Sequence, residues 1–168
     1  MGMQLIEHIE VGAGGASSIE FTSIPQDGVD LVLVVSARTT LANNHDSVYV
    51  VVNNDTSTTY QHIVLRGYNS TVQSFSLPTT LGLYAGNTSG STSTSNTFGN
   101  FAVAFSNYTS TTNKSVSADS VSENNSSDAH AAIVAASYPN SSAISSLKLV
   151  TNASNFVQYS TASLYKIY

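Results

Sequence analysis

Cysteine and tryptophan are absent from this 168-residue chain, and proline occurs only three times. Without cysteine there are no disulfides and no thiolate metal sites, so stability depends on packing within the chain or between subunits. Charge is also scarce, because only 9% of the residues are Asp, Glu, Lys or Arg, whereas an average soluble domain has about 25%. The five cations are scattered and the net charge is −5. This argues against nucleic acid as a partner, since its binding requires clustered Lys and Arg.

Long apolar segments are missing as well. No run approaches the ~20 residues that span a bilayer. The sequence does not open with a basic segment followed by an apolar stretch, which is the pattern of a secretory signal peptide. We therefore expect a soluble protein that is made in a cytoplasm and has no membrane partner.

Uncharged polar residues are present in large excess, because Ser, Thr and Asn make up 62 of the 168 residues. A further 41% are hydrophobic, and they occur in short runs of Val, Ile, Leu, Phe and Tyr. Such residues fit the pleated, half-buried surface of a strand, whereas Ser and Asn favour turns. The composition therefore predicts an ordered all-β domain with an uncharged polar surface and a sizeable core.

Strand-like segments recur along the whole chain. Residues 31–35 and 48–52 are continuous apolar runs, and the first is interpreted as a central strand covered on both faces. Residues 101–105 alternate between apolar and smaller side chains, and we expect all three segments in the core. Ten to twelve such strands without alternating helices predict a β-sandwich, with a jelly roll slightly favoured over a meander.

Residues 1–168 are expected to form a single domain. The one low-complexity segment, residues 86–96 with the sequence GNTSGSTSTSN, is interpreted as a flexible polar surface loop. Helical periodicity is weak everywhere, although the Ala-rich segment 128–136 has room for a turn or two of helix.

Four residues of metal-binding type lie near one another in the sequence, namely His45, Asp46, Asp55 and His62. A facial metal site needs two His and a carboxylate that converge on one point, and nothing in this spacing forces such convergence. We therefore interpret His45 as a loop residue and His62 as a cross-strand partner.

Catalytic constellations are no better supported. Glu7, Glu10 and Glu20 lie on or near the first two strands, and paired carboxylates about 5–9.5 Å apart cleave glycosides. Glu7 and Glu10 are three residues apart, however, so they face opposite ways in a regular strand and are better explained as solvated charges. The Gly-rich residues 12–15 lack the following Lys and helix of a phosphate loop. We predict no enzymatic activity, no metal and no cofactor.

Aromatic residues offer the most suggestive candidates. Tyr68, Phe75 and Tyr84 fall in the least regular third of the chain, where a role in the core is least assured. Core packing is the default for each of them, and the alternative is an anchor in a subunit interface, where large side chains dominate binding. We therefore take these three as candidate interface residues.

Four parts of the chain carry a family resemblance: residues 11–21 (VGAGGASSIEF) with 23–25 and 31–33, 96–100 (NTFGN), 107–109 with 113–115, and 155–165 (NFVQYSTASLY). These segments resemble a group of small structural proteins of tailed bacteriophages, cyanophages among them. The resemblance covers most of the chain, but it consists of strand and turn residues and contains no catalytic signature.

The resemblance implies a virion component with a β-sandwich fold, no enzymatic activity and synthesis in the host cytoplasm. Members of such groups serve as capsid decoration (cement) proteins, head fibres or knobs, or tail-tip and fibre modules. We favour a homotrimeric cement protein on the capsid surface that bridges neighbouring major capsid subunits, because virion oligomers follow local symmetry. The first strand and residues 68–84 are the expected trimer contacts. The alternative is a lectin-like receptor-binding module of the tail that stacks host glycan on exposed Tyr.

Overall fold

The computed structural model describes residues 2–57, 59–76, 78–124 and 128–168, which contain twelve strands in two antiparallel sheets. The predicted all-β sandwich of ten to twelve strands is thereby confirmed. The large sheet has the spatial order β1 (Met3–Glu10), β12 (Thr161–Ile167), β3 (Asp30–Ala37), β8 (Gly99–Phe105), β9 (Lys114–Glu123), β10 (Ala129–Tyr138), β5 (Gln61–Tyr68) and β6 (Thr71–Ser76). The small sheet has the order β2 (Ser18–Phe21), β11 (Leu147–Thr151), β4 (His45–Val52) and β7 (Leu83–Ser89).

Strand β3 shows how the large sheet contributes to the core. Leu31, Leu33 and Val35 are buried, whereas Val34 between them is 39% exposed. The prediction that residues 31–35 are covered on both faces is therefore wrong. The strand belongs to the large sheet, which packs against the small sheet with one face only, so its side chains alternate between core and surface.

Strands β4 and β8 follow the prediction more closely. Residues 48–52 of β4 are all buried, and so are Phe101, Val103 and Phe105 of β8. Apart from Val51, which is buried outside it, both sets belong to one continuous hydrophobic cluster between the two sheets. The predicted core position of these two segments is confirmed.

Strand β10 occupies the Ala-rich segment that was expected as an apolar strand over residues 131–136, with room for a turn or two of helix. The strand is confirmed, and no helical turn forms in it. Residues 129–138 pair with β9 along one edge and with β5 along the other. His130, Ala132 and Val134 point inward in strict alternation. Two complete ladders of backbone hydrogen bonds outweigh the helix preference of alanine, which is a weak local effect.

Strand β7 corrects the predicted loop at residues 86–96, because residues 86–89 form its buried end. β7 is an edge strand of the small sheet and contacts β5, β8, β9 and β10 of the large sheet. Gly86 makes the close approach possible, since a Cβ at this position would overlap the side chain of Ser120 on β9. The irregular segment begins only at Gly90.

Within the part of the chain that is described, no helix has the length and hydropathy needed to cross a membrane.

Candidate interaction surface

The outward side of β5, β6, β9 and β10 carries large hydrophobic side chains that none of the described residues covers. Five of them are between 51% and 80% exposed: Ile63, Leu65, Val72, Val121 and Ile133. The cause lies in the sequence, because the outward-pointing set on each of these two strands is apolar: Ile63 and Leu65 on β5, and Ala131, Ile133 and Ala135 on β10. One set enters the core, and the other is left on the surface.

Strand register joins these side chains into one patch. Leu65 lies opposite Ile133, and Ala131 lies between Gly67 on β5 and Val121 on β9. Val72 is in turn the partner of Gly67. The small residues at Gly67 and Ala131 leave a groove of about 430 Å³ between the larger side chains. We refer to this patch, Ile63, Leu65, Val72, Val121 and Ile133 with the groove, as the apolar face.

The charges at the apolar face are of one sign. Asp119, which lies opposite Ile133, and Glu123, which lies opposite Ala129, both point outward from β9. No Lys or Arg is among the outward-pointing residues of β5, β6, β9 and β10. A matching surface is therefore apolar at its centre and basic near β9, because unlike charges across an interface attract.

Two of the three aromatic residues singled out from the sequence lie on these same strands, but on the inner side. The ring of Tyr68 stacks on His130 with the centroids 4.4 Å apart. The guanidinium of Arg66 lies 5.7 Å from the centroid of Tyr68 and 5.0 Å from that of Phe75. Both rings are therefore engaged within the chain and are only partly exposed.

The third aromatic candidate, Tyr84, is 4% exposed and belongs to the core cluster. Its hydroxyl donates to Oδ1 of Asn87 at 2.9 Å, and its burial raises its pKa to about 12. The prediction that Tyr84 is an interface residue is therefore wrong, because its side chain offers no surface to a second subunit. The three aromatics were chosen because large side chains often anchor interfaces. The pattern that reveals the exposed surface is instead the run of apolar side chains at the outward-pointing positions of β5 and β10.

Three of the four histidines lie along one seam, where β4 and β7 of the small sheet meet β5 and β10. His45 is the first residue of β4, and its ring centroid is 4.3 Å from that of His130 on β10. Further along the seam, His62 on β5 stacks on Tyr84 at 6.2 Å. We name His45, His62 and His130 the seam histidines. His45 is thus a strand residue and not the loop residue expected.

The residues considered for a metal site do not converge. Asp46 accepts a hydrogen bond from Oγ of Ser154 at 2.5 Å, and Asp55 accepts one from Oγ of Ser57 at 2.8 Å. Across the described ranges, no group of three or more His, Cys, Asp or Glu is placed to hold a metal ion.

The three glutamates considered as paired carboxylates are separated by the fold. Glu7 and Glu10 lie on β1 at the edge of the large sheet, whereas Glu20 lies on β2 of the small sheet. Glu20 instead lies 3.8 Å from Nζ of Lys148 on the neighbouring strand.

No protein-family model, no curated protein and no solved structure matches this chain.

Proposed function

We propose that this chain is a non-enzymatic structural protein of a virion, a capsid decoration (cement) protein that bridges neighbouring major capsid subunits at the shell surface. The observation that carries the proposal is the apolar face. Exposed patches of this kind mark sites of protein–protein interaction. Binding to the assembled shell stabilises it by mass action.

Strand order supports the proposal at the level of architecture. We infer that the groups β1-β12-β3-β8 and β2-β11-β4-β7 form a jelly roll, because the chain crosses between them at β1–β2, β2–β3, β3–β4, β7–β8 and β11–β12. Two four-stranded sheets joined in this way occur in viral capsid and lectin domains. The remaining strands β9, β10, β5 and β6 extend the first group, and they are the strands that carry the apolar face. Because one fold hosts many functions, the apolar face and not the fold carries the proposal.

We infer that the partner is a shell subunit, and the apolar face fits a surface on it with an apolar patch flanked by Lys or Arg. Asp119 and Glu123 then lie opposite cations, while Ile133 and Leu65 lose their contact with water. Burial contributes about 25 cal/mol for each Å² of apolar surface. The charge pairs add orientation and selectivity.

Self-association follows from the two open edges of the large sheet. A cyclic trimer needs two different patches on each copy, one for each neighbour. Strands β1 and β6 lie at opposite edges of the sheet, and both are largely exposed. We propose that they form the contacts of a homotrimer.

The tail-binding alternative, a lectin-like module, depends on exposed aromatic rings. The ring of Tyr68 is stacked on His130, and Arg66 lies against Phe75. Tyr159 and Tyr168, however, are 63% and 48% exposed, so this alternative keeps candidate rings for stacking on a sugar and is separated from the first by copy number.

The test is binding of the purified chain to virion shells that lack it, with occupancy measured by quantitative mass spectrometry. Ile133→Glu places a carboxylate in the centre of the apolar face beside Asp119, and we expect it to lower occupancy at least tenfold. The side chain is exposed, so the fold and the melting temperature stay close to those of the wild type.

Val29→Glu is the matched control, because Val29 is also an exposed aliphatic residue but precedes β3, away from the apolar face. Unchanged occupancy for Ile133→Glu overturns the proposed docking face. Copy number in native particles separates the two virion roles, since hundreds of copies indicate decoration and a handful indicate a tail module.

A further inference from the structure

The seam histidines join the two sheets without the hydrogen bonds that buried imidazoles normally make. His62 is 2% exposed, and neither of its ring nitrogens has a hydrogen-bond partner among the described residues. His130 is 4% exposed, and within the same ranges it has a partner at Nδ1 only, where Asn87 donates at 3.1 Å. The buried Nδ1 of His45 likewise has no partner in the described part of the chain. Buried polar atoms are hydrogen-bonded in the great majority of cases, so this concentration calls for a physical reason.

The arrangement suits neutral rings and disfavours charged ones. His45 and His130 face each other with their centroids 4.3 Å apart. Protonation of one ring therefore raises the free-energy cost of protonating the other. His62 packs against the ring of Tyr84. Neither of its nitrogens makes a hydrogen bond to another described residue, and the nearby backbone of Gln61 favours a charge less than burial opposes it. The ring pairs His45–His130 and His62–Tyr84 each connect the small sheet to the large one. They lie about 20 Å apart along β10, six residues at ~3.3 Å each.

Charged groups from three elements surround the His45–His130 pair. Arg66 on β5 repels an imidazolium, whereas Asp128, just before β10, and Asp46 on β4 attract it. The carboxylate of Asp128 is already engaged, because it accepts hydrogen bonds from three side chains. The three donors are Asn44, Tyr68 and Asn69. The other titratable neighbours are tyrosines, which stay neutral in acid: Tyr49, Tyr68 and Tyr84.

Burial has the largest effect on the pKa of each seam histidine. It lowers the pKa of His130 to about 4, with the neighbouring His45 as the next cause. Burial also lowers the pKa of His45 and that of His62. The hydrogen bonds from Asn44 and Asn69 hold the pKa of Asp128 below its ordinary value, so this carboxylate stays ionised while the histidines titrate.

We propose that the seam histidines form an acid-sensitive joint, in which neutral imidazoles hold β4 and β7 against β5 and β10 and their protonation loosens that contact. The apolar face lies on the opposite side of β5 and β10. Acid therefore loosens the packing on the inner side of the two strands whose outer side carries the apolar face.

The direction with pH follows from proton linkage. A histidine with a folded pKa below the ordinary value of about 6.5 binds fewer protons in the folded than in the unfolded state. Stability is therefore complete above about pH 6.5 and falls as the pH drops toward about 4. Most carboxylates titrate at or below about pH 4.3. A change in stability between pH 7.5 and pH 5.0 therefore reports mainly on the protonation of histidine.

The experiment is thermal unfolding of the full chain at pH 7.5 and pH 5.0, for the wild type and for single variants. We expect the wild-type melting temperature to fall by roughly 5 °C or more between these values. His62→Phe and His130→Gln are each expected to reduce that fall. His62→Phe keeps a ring against Tyr84 and removes a charge site, and His62→Met serves if the larger ring does not fit.

The fourth histidine, His8, provides the control. It is exposed on β1, where Nδ1 lies 2.8 Å from Oγ of Ser163, so His8→Gln is expected to keep the wild-type fall. Equal falls in the wild type, His62→Phe and His130→Gln overturn the proposal. Hydrogen exchange at pH 5.0 adds a second readout. The quantity compared is the protection factor, which corrects for the change of the intrinsic exchange rate with pH. A fall in protection at pH 5.0 that is confined to β4, β5, β7 and β10 supports a local joint, and an equal fall over all strands contradicts it.

Discussion

Single polar side chains in this protein organise segments that its apolar residues cannot fix. Arg38 is one of the scattered cations of the sequence, yet its guanidinium donates at 2.8–3.2 Å to four backbone carbonyls of the irregular segment after β7. The acceptors are the carbonyl oxygens of Ser91, Ser93, Thr94 and Thr97. A planar group with five donors suits this task, because it satisfies several carbonyls at fixed angles.

Replacing this side chain tests its role. We expect Arg38→Ala to lower the free energy of unfolding by about 2 kcal/mol, since hydrogen bonds to charged groups are worth roughly 1.5–3 kcal/mol and these are partly solvated. Urea titration measures the loss, and hydrogen exchange should rise in residues 90–98. Lys148→Ala is the matched control, because its ion pair with Glu20 is at the surface and is expected to contribute less than about 1 kcal/mol. A cost for Arg38→Ala no larger than that of Lys148→Ala contradicts the assigned role.

At the scale of elements, the position of β7 depends on a glycine. Gly86 has a φ of +136°, and a side chain there would collide with Ser120. We expect Gly86→Ala to destabilise the fold by roughly 3 kcal/mol or more, from backbone strain together with the clash. Gly14→Ala is the control, because a Cβ at Gly14 meets no atom within 4 Å. Similar urea midpoints for the two variants would show that β7 does not lie tightly on β9.

The same elements show how far the sequence alone leads. β8 is predictable because Phe101, Val103 and Phe105 alternate with smaller residues, and β4 because residues 48–52 are all apolar. The end of β7 cannot be predicted in this way, because its buried residues are polar and form their hydrogen bonds with strands that are distant in the sequence. The hydroxyl of Thr88, for example, donates to the carbonyl of Ala37 on β3.

The apolar face illustrates a second limit. The alternation of Ile63 and Leu65 with inward-facing neighbours is visible in the sequence, and so is that of Ile133. Which set is covered depends on how far the small sheet extends over the large one, and that property is not local. Tyr68 and Phe75, the candidates from the sequence, lie on β5 and β6, but their rings are on the inner side of the sheet and not on the apolar face.

For the molecule as a whole, the two open edges of the large sheet differ in how they are protected. β1 carries Glu7, His8 and Glu10 and has an irregularity in its register between Leu5 and Glu7. Charges and bulges limit the pairing of strands at an edge; the like charges of β1 oppose its pairing with a second β1 but not its contact with an uncharged strand such as β6. β6 has neither, because its residues 71–76 (TVQSFS) are uncharged and pair regularly with β5. β6 is therefore the edge more open to a neighbouring copy.

Homotrimer formation is the prediction that belongs to this scale. Sedimentation equilibrium of the wild type at micromolar concentration is expected to give three times the chain mass of 17.6 kDa. Val72→Lys places a charge on β6 at a side chain that is 80% exposed, and we expect it to yield monomers with an unchanged melting temperature, because a lysine at an edge strand blocks pairing. Leu81→Lys is the matched control, since Leu81 is an exposed aliphatic residue beside Lys148 of the small sheet, and its trimer should persist. A wild-type monomer, or a trimer that survives Val72→Lys, rules out β6 as a contact in solution.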